Sequence, residues 1–180
     1  HGVAVEGVSA YPQAVTAQMV ANFLRGGAGI NVLARHVGAR IVVVDMGVAA
    51  TLAPHLQLVS RKIRAGTSNF VHGPAMTREE VSTAIAAGCE IAQREIERGA
   101  DLIGTGDMGI GNTTASSAIA AAITGQPVER VTGYGTGIDE RTRARKLAVI
   151  HRALERHRPD PSDPLEVLAT VGGFEIAGLV

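Results

Sequence analysis

The chain has 180 residues, 46% of them apolar and 19% charged, which is enough to bury a core as one compact unit and unlike a disordered tail. Seventeen basic residues offset seventeen acidic ones and aromatic residues make up only 3%, which excludes the basic footprint and the stacking platform of a nucleic-acid binder. A lone cysteine, Cys89, excludes an internal disulfide and points to a reducing, cytoplasmic setting, and no apolar run approaches the ~20 residues of a membrane helix.

Pro12 suits the first turn of a helix that runs to about Leu24, and "RGGAG" ends it before a second short helix, about Ile30 to His36, that stops at Gly38. "RIVVVD" follows. Its β-branched residues Ile41 to Val44 lack polar alternation and predict a buried strand of a parallel sheet covered on both faces. "LQLVSRKI" is a second candidate strand. After the loop "AGTSNFVHGPAM", Thr77 and Glu80 form a capping-box pattern for a helix ending near Gly99. Its apolar face is expected to hold Val81, Ala84, Ile85, Gly88, Cys89, Ala92 and Ile96, with Cys89 in the core. "ADLIG" predicts a third short buried strand, and it leads into "GTGDMGIGNTT" and a helix from about Thr113 to Thr124. The rest is mainly helical: Asp139 caps a helix to about His157, and "SDPLEVLATV" combines a cap with Pro before "GGFEIAGLV".

Strand, glycine loop and helix in that order place a ligand site at the carboxyl end of a parallel strand. The predicted fold is therefore α/β, with three α/β/α layers around a mainly parallel, Rossmann-like sheet. No linker-like stretch divides residues 1–180, so one domain is expected. The chain begins at His1 with neither an initiator Met nor a charged-then-apolar leader, which reads as a cut terminus and an incomplete domain.

The glycine loop, with Gly104, Gly106, Gly109 and Gly111, has two readings. Glycines serve any tight strand-to-helix turn. Alternatively, free N–H groups and hydroxyls at the start of the Thr113 helix make a phosphate cradle. The loop lacks the Gly-Lys-Ser/Thr ending of a triphosphate loop, and the Glu129-Arg130 segment that stands where a dinucleotide fingerprint needs its acidic residue follows no strand, so a single phosphate or a mononucleotide fits better. A second glycine loop, "VTGYGTGID", could hold ribose and phosphate from the other side, with Lys146 adding a charge. Lys146 is expected to share its helix with Arg141, Arg143, Arg145, Arg152, Arg156 and Arg158, however, and such runs are usually solvated faces. The six histidines form no i, i+4 pair and no Cys/His cluster, so neither a metal nor another cofactor is indicated.

"HGVAVEGVSAYPQAVTAQMVANFLRGGAGINVLAR", "GDMGIGNTTASSAIAAAITG", "VTGYGTGIDERTRARK" and "DPLEVLATVGGFEIAG" together resemble the nicotinate-nucleotide–dimethylbenzimidazole phosphoribosyltransferases of cobalamin nucleotide-loop assembly. The likeness runs in register through essentially the whole chain and covers about the middle half of a family member. It implies transfer of the phosphoribosyl group of nicotinate mononucleotide to 5,6-dimethylbenzimidazole, giving α-ribazole 5′-phosphate and nicotinate, without a metal and in a homodimer. Met108, Gly109, Ile110, Asn112, Thr113, Gly135 and Thr136 then fall at the nucleotide, and Lys146 matches a phosphate ligand. Tyr11 and Met19 match positions bordering the benzimidazole pocket, and His1 and Glu6 fall in the family's "HGV…EG" block. The resemblance puts the principal catalytic Glu beyond Val180 and a second carboxylate at Asp107, where the family usually has Glu. The Asp side chain is shorter by one C–C bond, roughly 1.5 Å. Asp107 therefore has two readings, a share in the proton or electrostatic work and a residue that orders the loop. A phosphate-binding or mononucleotide-binding module without efficient turnover is the alternative to the enzyme.

Overall fold

The computed structural model describes residues 1–180. The chain is α/β and mostly helical. A 3-10 turn, η1 (Gly2–Glu6), precedes α1 (Val15–Leu24) and α2 (Gly29–Val37). β1 (Val43–Asp45) and β2 (Leu58–Ser60) follow, then α3 (Arg78–Glu97), α4 (Asn112–Thr124), α5 (Val128–Val131), α6 (Glu140–His157), α7 (Pro164–Val171) and α8 (Phe174–Gly178). No helix is long and apolar enough to cross a membrane.

Helix ends fall where local chemistry puts them. Thr77 accepts from the Glu80 N–H while the Glu80 carboxylate accepts from the Thr77 N–H, so two otherwise orphaned donors satisfy each other at the start of α3. Asp139 and Asp163 accept from Thr142 N–H at 2.8 Å and Glu166 N–H at 3.0 Å, fixing the first turns of α6 and α7. Gly38 and Gly125 close α2 and α4 in the left-handed region.

The sheet is smaller than the sequence suggests. β1 and β2 pair in parallel with Val43 opposite Leu58, Val44 opposite Val59 and Asp45 opposite Ser60. Within "RIVVVD" only the last three residues form strand, and Ile41 to Val44 are half-buried. The expected strand at "ADLIG" is absent. Residues 100–104 pair with nothing, and Leu102 is 92% exposed. An apolar run predicts a strand only where a neighbour offers a hydrogen-bonding edge, and neither strand of this pair lies beside it.

The core lies between α3, α4, α6, α7, α8 and the segment carrying Phe70, Val71, Ala75 and Met76. Much of it is alanine: Ala84, Ala87, Ala115, Ala118, Ala121, Ala153, Ala169 and Ala177 are all buried. Small side chains let backbones approach, and the limit is reached at Gly88 of α3. A Cβ added there would lie 2.0 Å from the carbonyl oxygen of Gly178 at the end of α8. That contact also sets the buried stripe of α3, which runs through Val81, Ala84, Ala87 and Glu95. Cys89 and Ile96 lie off the stripe and are exposed, contrary to expectation. Buried Glu95 pairs with Arg40 and Arg98 at the far end of the helix.

Candidate functional site

α4 begins with the glycine loop as its cap. Gly111 has φ 96°, a conformation that favours glycine, and a side chain there would meet the Cβ of His1 at 3.0 Å and Val3 beyond it. The loop therefore lies flat on the N-terminal segment. Thr16, in the first turn of α1, accepts a hydrogen bond from the Ile110 N–H at 3.1 Å and ties the loop to a second element. His1 lies beneath Gly109 and Gly111, and its Nε2 is 2.6 Å from the Glu175 carboxylate on α8.

The first residues of α4 are less open than the sequence predicts. The Asn112 N–H donates to the Gly109 carbonyl at 2.9 Å, and the Thr113 N–H donates to the Asn112 side-chain oxygen at 2.8 Å. The same amide donates through Nδ2 to Asp107 Oδ2 at 2.7 Å. Asn112 thus links the only carboxylate in the loop to the helix start, so the two N–H groups expected to be free are engaged within the loop. An anion reaching the Thr113 N–H has to displace the Asn112 oxygen.

Lys146 is the least expected residue. Its ammonium comes from α6 and donates to Thr113 Oγ1 at 2.7 Å, with the residue only 1% exposed and with no carboxylate as partner. Burial holds its pKa below the ordinary lysine value, because an ammonium removed from water loses solvation that one hydroxyl does not replace. The solvated-face reading is thereby overturned, and the pattern explains why. Lys146, Val149, Ile150 and Ala153 are the buried residues of α6, at the i, i+3, i+4, i+7 spacing of one helical face. The arginines surround that stripe.

The second glycine loop closes over this pair. A Cβ on Gly135, whose φ is 70°, would lie 3.3 Å from Thr113 Oγ1 and 3.7 Å from Lys146 Nζ. Gly137 in the same loop packs near the Tyr11 ring, its built Cβ 3.6 Å from the hydroxyl. The structure therefore brings Thr113, Gly135 and Lys146 together, with Tyr11 on the far side of the second loop and Asp107 tied to Asn112. Buried Ile110 and half-buried Met108 and Gly109 line the first loop, and Thr136 is exposed in the second. Met19 is half-buried on α1, where its sulfur accepts from Asn22 Nδ2 at 4.0 Å, and no hydrogen bond ties it to the glycine loops. Thr16 and the contact of Glu175 with His1 were not singled out in the sequence. A threonine in a first helical turn and a glutamate after Gly-Gly-Phe carry no spacing signal of their own.

A lysine buried against two glycine loops is an arrangement suited to a phosphorylated small molecule, and the similarities of the chain agree with that class. The family profile of phosphoribosyltransferases matches residues 1–180, and the chain belongs to that family. Within it the likeness is narrower. The nicotinate-nucleotide–dimethylbenzimidazole phosphoribosyltransferase of Roseiflexus sp. (strain RS-1) is 63% identical over 179 residues, which is 99% of this chain and 51% of that protein. The protein of the same name in Geobacter sulfurreducens is 56% identical over the same shares. The crystal structure of CobT from Thermus thermophilus aligns with a TM-score of 0.94 at 52% identity, covering 99% of this chain and 53% of that one. The chain spans about half the length of the curated relatives it matches.

Proposed function

We propose that this chain carries the nucleotide-holding part of an enzyme that moves the phosphoribosyl group of nicotinate mononucleotide onto 5,6-dimethylbenzimidazole, in cobalamin biosynthesis. The observation that carries the reading is the buried Lys146 ammonium, held by Thr113 Oγ1 alone and facing the second glycine loop. The names of the relatives support nicotinate mononucleotide and dimethylbenzimidazole as its two small-molecule substrates. The phosphate binds at Lys146 and Thr113, with Gly135 and Thr136 over the ribose and Met108, Gly109, Ile110 and Asn112 along its other side. Tyr11 and Met19 border the incoming base.

Nicotinate bonded to ribose is a cationic pyridinium and a good leaving group. The benzimidazole nitrogen forms the new bond to the anomeric carbon on the opposite face. The pair of electrons in the old bond leaves with nicotinate, and the partner nitrogen gives up its proton. A carboxylate accepts it. On the family resemblance this is a glutamate C-terminal to Val180, with Asp107 in a supporting role set by its hydrogen bond from Asn112. The parallel register of β1 and β2 and the likeness to the Thermus structure support a three-layer, Rossmann-like arrangement in the longer protein, in which Leu102 and Ile103 are covered. Family resemblance supports a homodimer, and the lone Cys89 supports a reducing, cytoplasmic setting.

Mixing the protein, together with the C-terminal segment expected to carry that glutamate, with nicotinate mononucleotide and dimethylbenzimidazole and following α-ribazole 5′-phosphate by mass spectrometry tests the reading. Product whose rate falls at least ~100-fold on Lys146→Ala supports it. Product formed equally fast by that variant overturns the assignment of Lys146. Tight nucleotide binding with no turnover under any condition leaves the binding-module reading.

A further inference from the structure

The second glycine loop has little of its own to hold it. Residues 133–138 form no backbone–backbone hydrogen bond, and Gly135 and Gly137 both have positive φ. Such a segment is free to move unless side chains from outside hold it. One residue does so at its entry. Arg143, in the first turns of α6, donates from Nη2 to the carbonyls of Glu129 and Thr132, each at 3.3 Å. Its guanidinium carbon also stands 5.2 Å from the centre of the Tyr134 ring. The hydroxyl of that ring donates to the Glu140 carboxylate at the start of the same helix. Arg143 therefore grips the last turn of α5, the first loop residue and the loop aromatic at once, and its Nε is sealed from water without a partner of its own.

Arg143 lies three residues before Lys146, so the two point from the same face of α6. One rigid helix thus carries both the ammonium and the clasp of the loop that covers it. We propose that Arg143 is a positioning residue, which sets the gap between Gly135 and Lys146 and so tunes the site for a phosphate. It touches no substrate itself. A planar guanidinium suits this task, because it stacks on an aromatic ring while donating in its own plane, which a lysine ammonium does not do. The inference rests on the proposed nucleotide reading for its consequence, while the holding of the loop stands apart from it.

The test has two readouts on the full chain, in Arg143→Met and, as a milder break, Tyr134→Leu. The first is the backbone order parameter of residues 132–138 from nitrogen-15 relaxation, which needs no ligand and no protected amide. It is expected to fall from the ~0.85 of a rigid backbone to below ~0.6 in Arg143→Met and less far in Tyr134→Leu, with α3 and α4 unchanged. The second is the ratio of affinities for nicotinate mononucleotide and its dephosphorylated riboside. It is expected to drop about fivefold in Arg143→Met, because a loosened loop weakens the phosphate contact more than the others. Unchanged order parameters in both variants overturn the proposal, and so does a looser loop with an unchanged ratio. Loosening throughout α4 and α6 in both variants would make Arg143 a stability residue and overturn it too. A wild-type chain that binds no nucleotide, with the loop still loosened by Arg143→Met, would instead count against the proposed function alone.

Discussion

Two helix junctions in this molecule are built on opposite terms. α3 meets α8 through bare backbone at Gly88 and Gly178, an approach that shape alone fixes and that leaves no room for one carbon. Where α4 meets α6, a buried hydrogen bond from the Lys146 ammonium to the Thr113 hydroxyl stands beside their apolar packing. The first junction gains stability from close packing. The second gives some up, because a buried cation with one neutral partner is under-solvated. On the proposed reading an anion completes that group, which would make the α4–α6 junction a ligand site where the α3–α8 junction serves packing alone.

The largest effect is expected from breaking the first junction. Gly88→Ala puts a methyl into the Gly178 carbonyl, a backbone atom that cannot swing aside. The fold should lose about 3 kcal/mol, the upper end for overpacking a tight contact. In calorimetry the thermal midpoint falls by roughly 6–12 °C for a chain of this length. The preference for a phosphorylated ligand should survive in the fraction that remains folded, since Gly88 touches none of the site.

Breaking the second junction should act in the opposite sense. Lys146→Met fills the same channel without a charge, so the thermal midpoint should rise by roughly 2–4 °C, the shift for about 1 kcal/mol, while phosphate preference is lost. A fall in the midpoint would show that the ammonium supports the fold in its own right. The sign follows from protonation. Burial makes folded Lys146 release its proton at a lower pH than the unfolded chain does, so its destabilisation is full below that pH and fades above it. A bound phosphate favours the charged form, and nucleotide affinity should therefore decline as pH rises through the lowered lysine value.

A smaller effect sharpens the contrast from the acid side. The Glu166 N–H and Arg78 hold the Asp163 carboxyl below its usual range, and hydrogen bonds from Thr142 do the same for Asp139. Both caps contribute stability above the unfolded Asp value and lose it as pH falls through their lowered values. The thermal midpoint should thus drop between roughly pH 5 and pH 2, with a shallower slope in Asp163→Asn. An unchanged slope would show that these exposed caps carry nothing measurable.

Helix boundaries were largely legible in the sequence because capping is local. Thr77 with Glu80, Asp139, and Asp163 before Pro164 each act within one turn. Strands were less legible, since pairing depends on a distant edge: "ADLIG" has strand composition and no partner. Both glycine loops were legible, but the depth of Lys146 was not, because a helix rich in arginine has the composition of a solvated face even where Lys146 shares the phase of Val149, Ile150 and Ala153. The engagement of the Thr113 N–H by the Asn112 side chain could not be read at all, because the same side chain could have faced solvent.

The Lys146–Thr113 junction is proposed above as a phosphate site. Its most direct test is calorimetric titration of the unmodified protein with nicotinate mononucleotide and with its dephosphorylated riboside at neutral pH. The mononucleotide is expected to bind at least ~10-fold more tightly, about 1.4 kcal/mol, with the difference gone in Lys146→Ala. Equal affinities for the two ligands, or a difference that persists without the lysine, would contradict it.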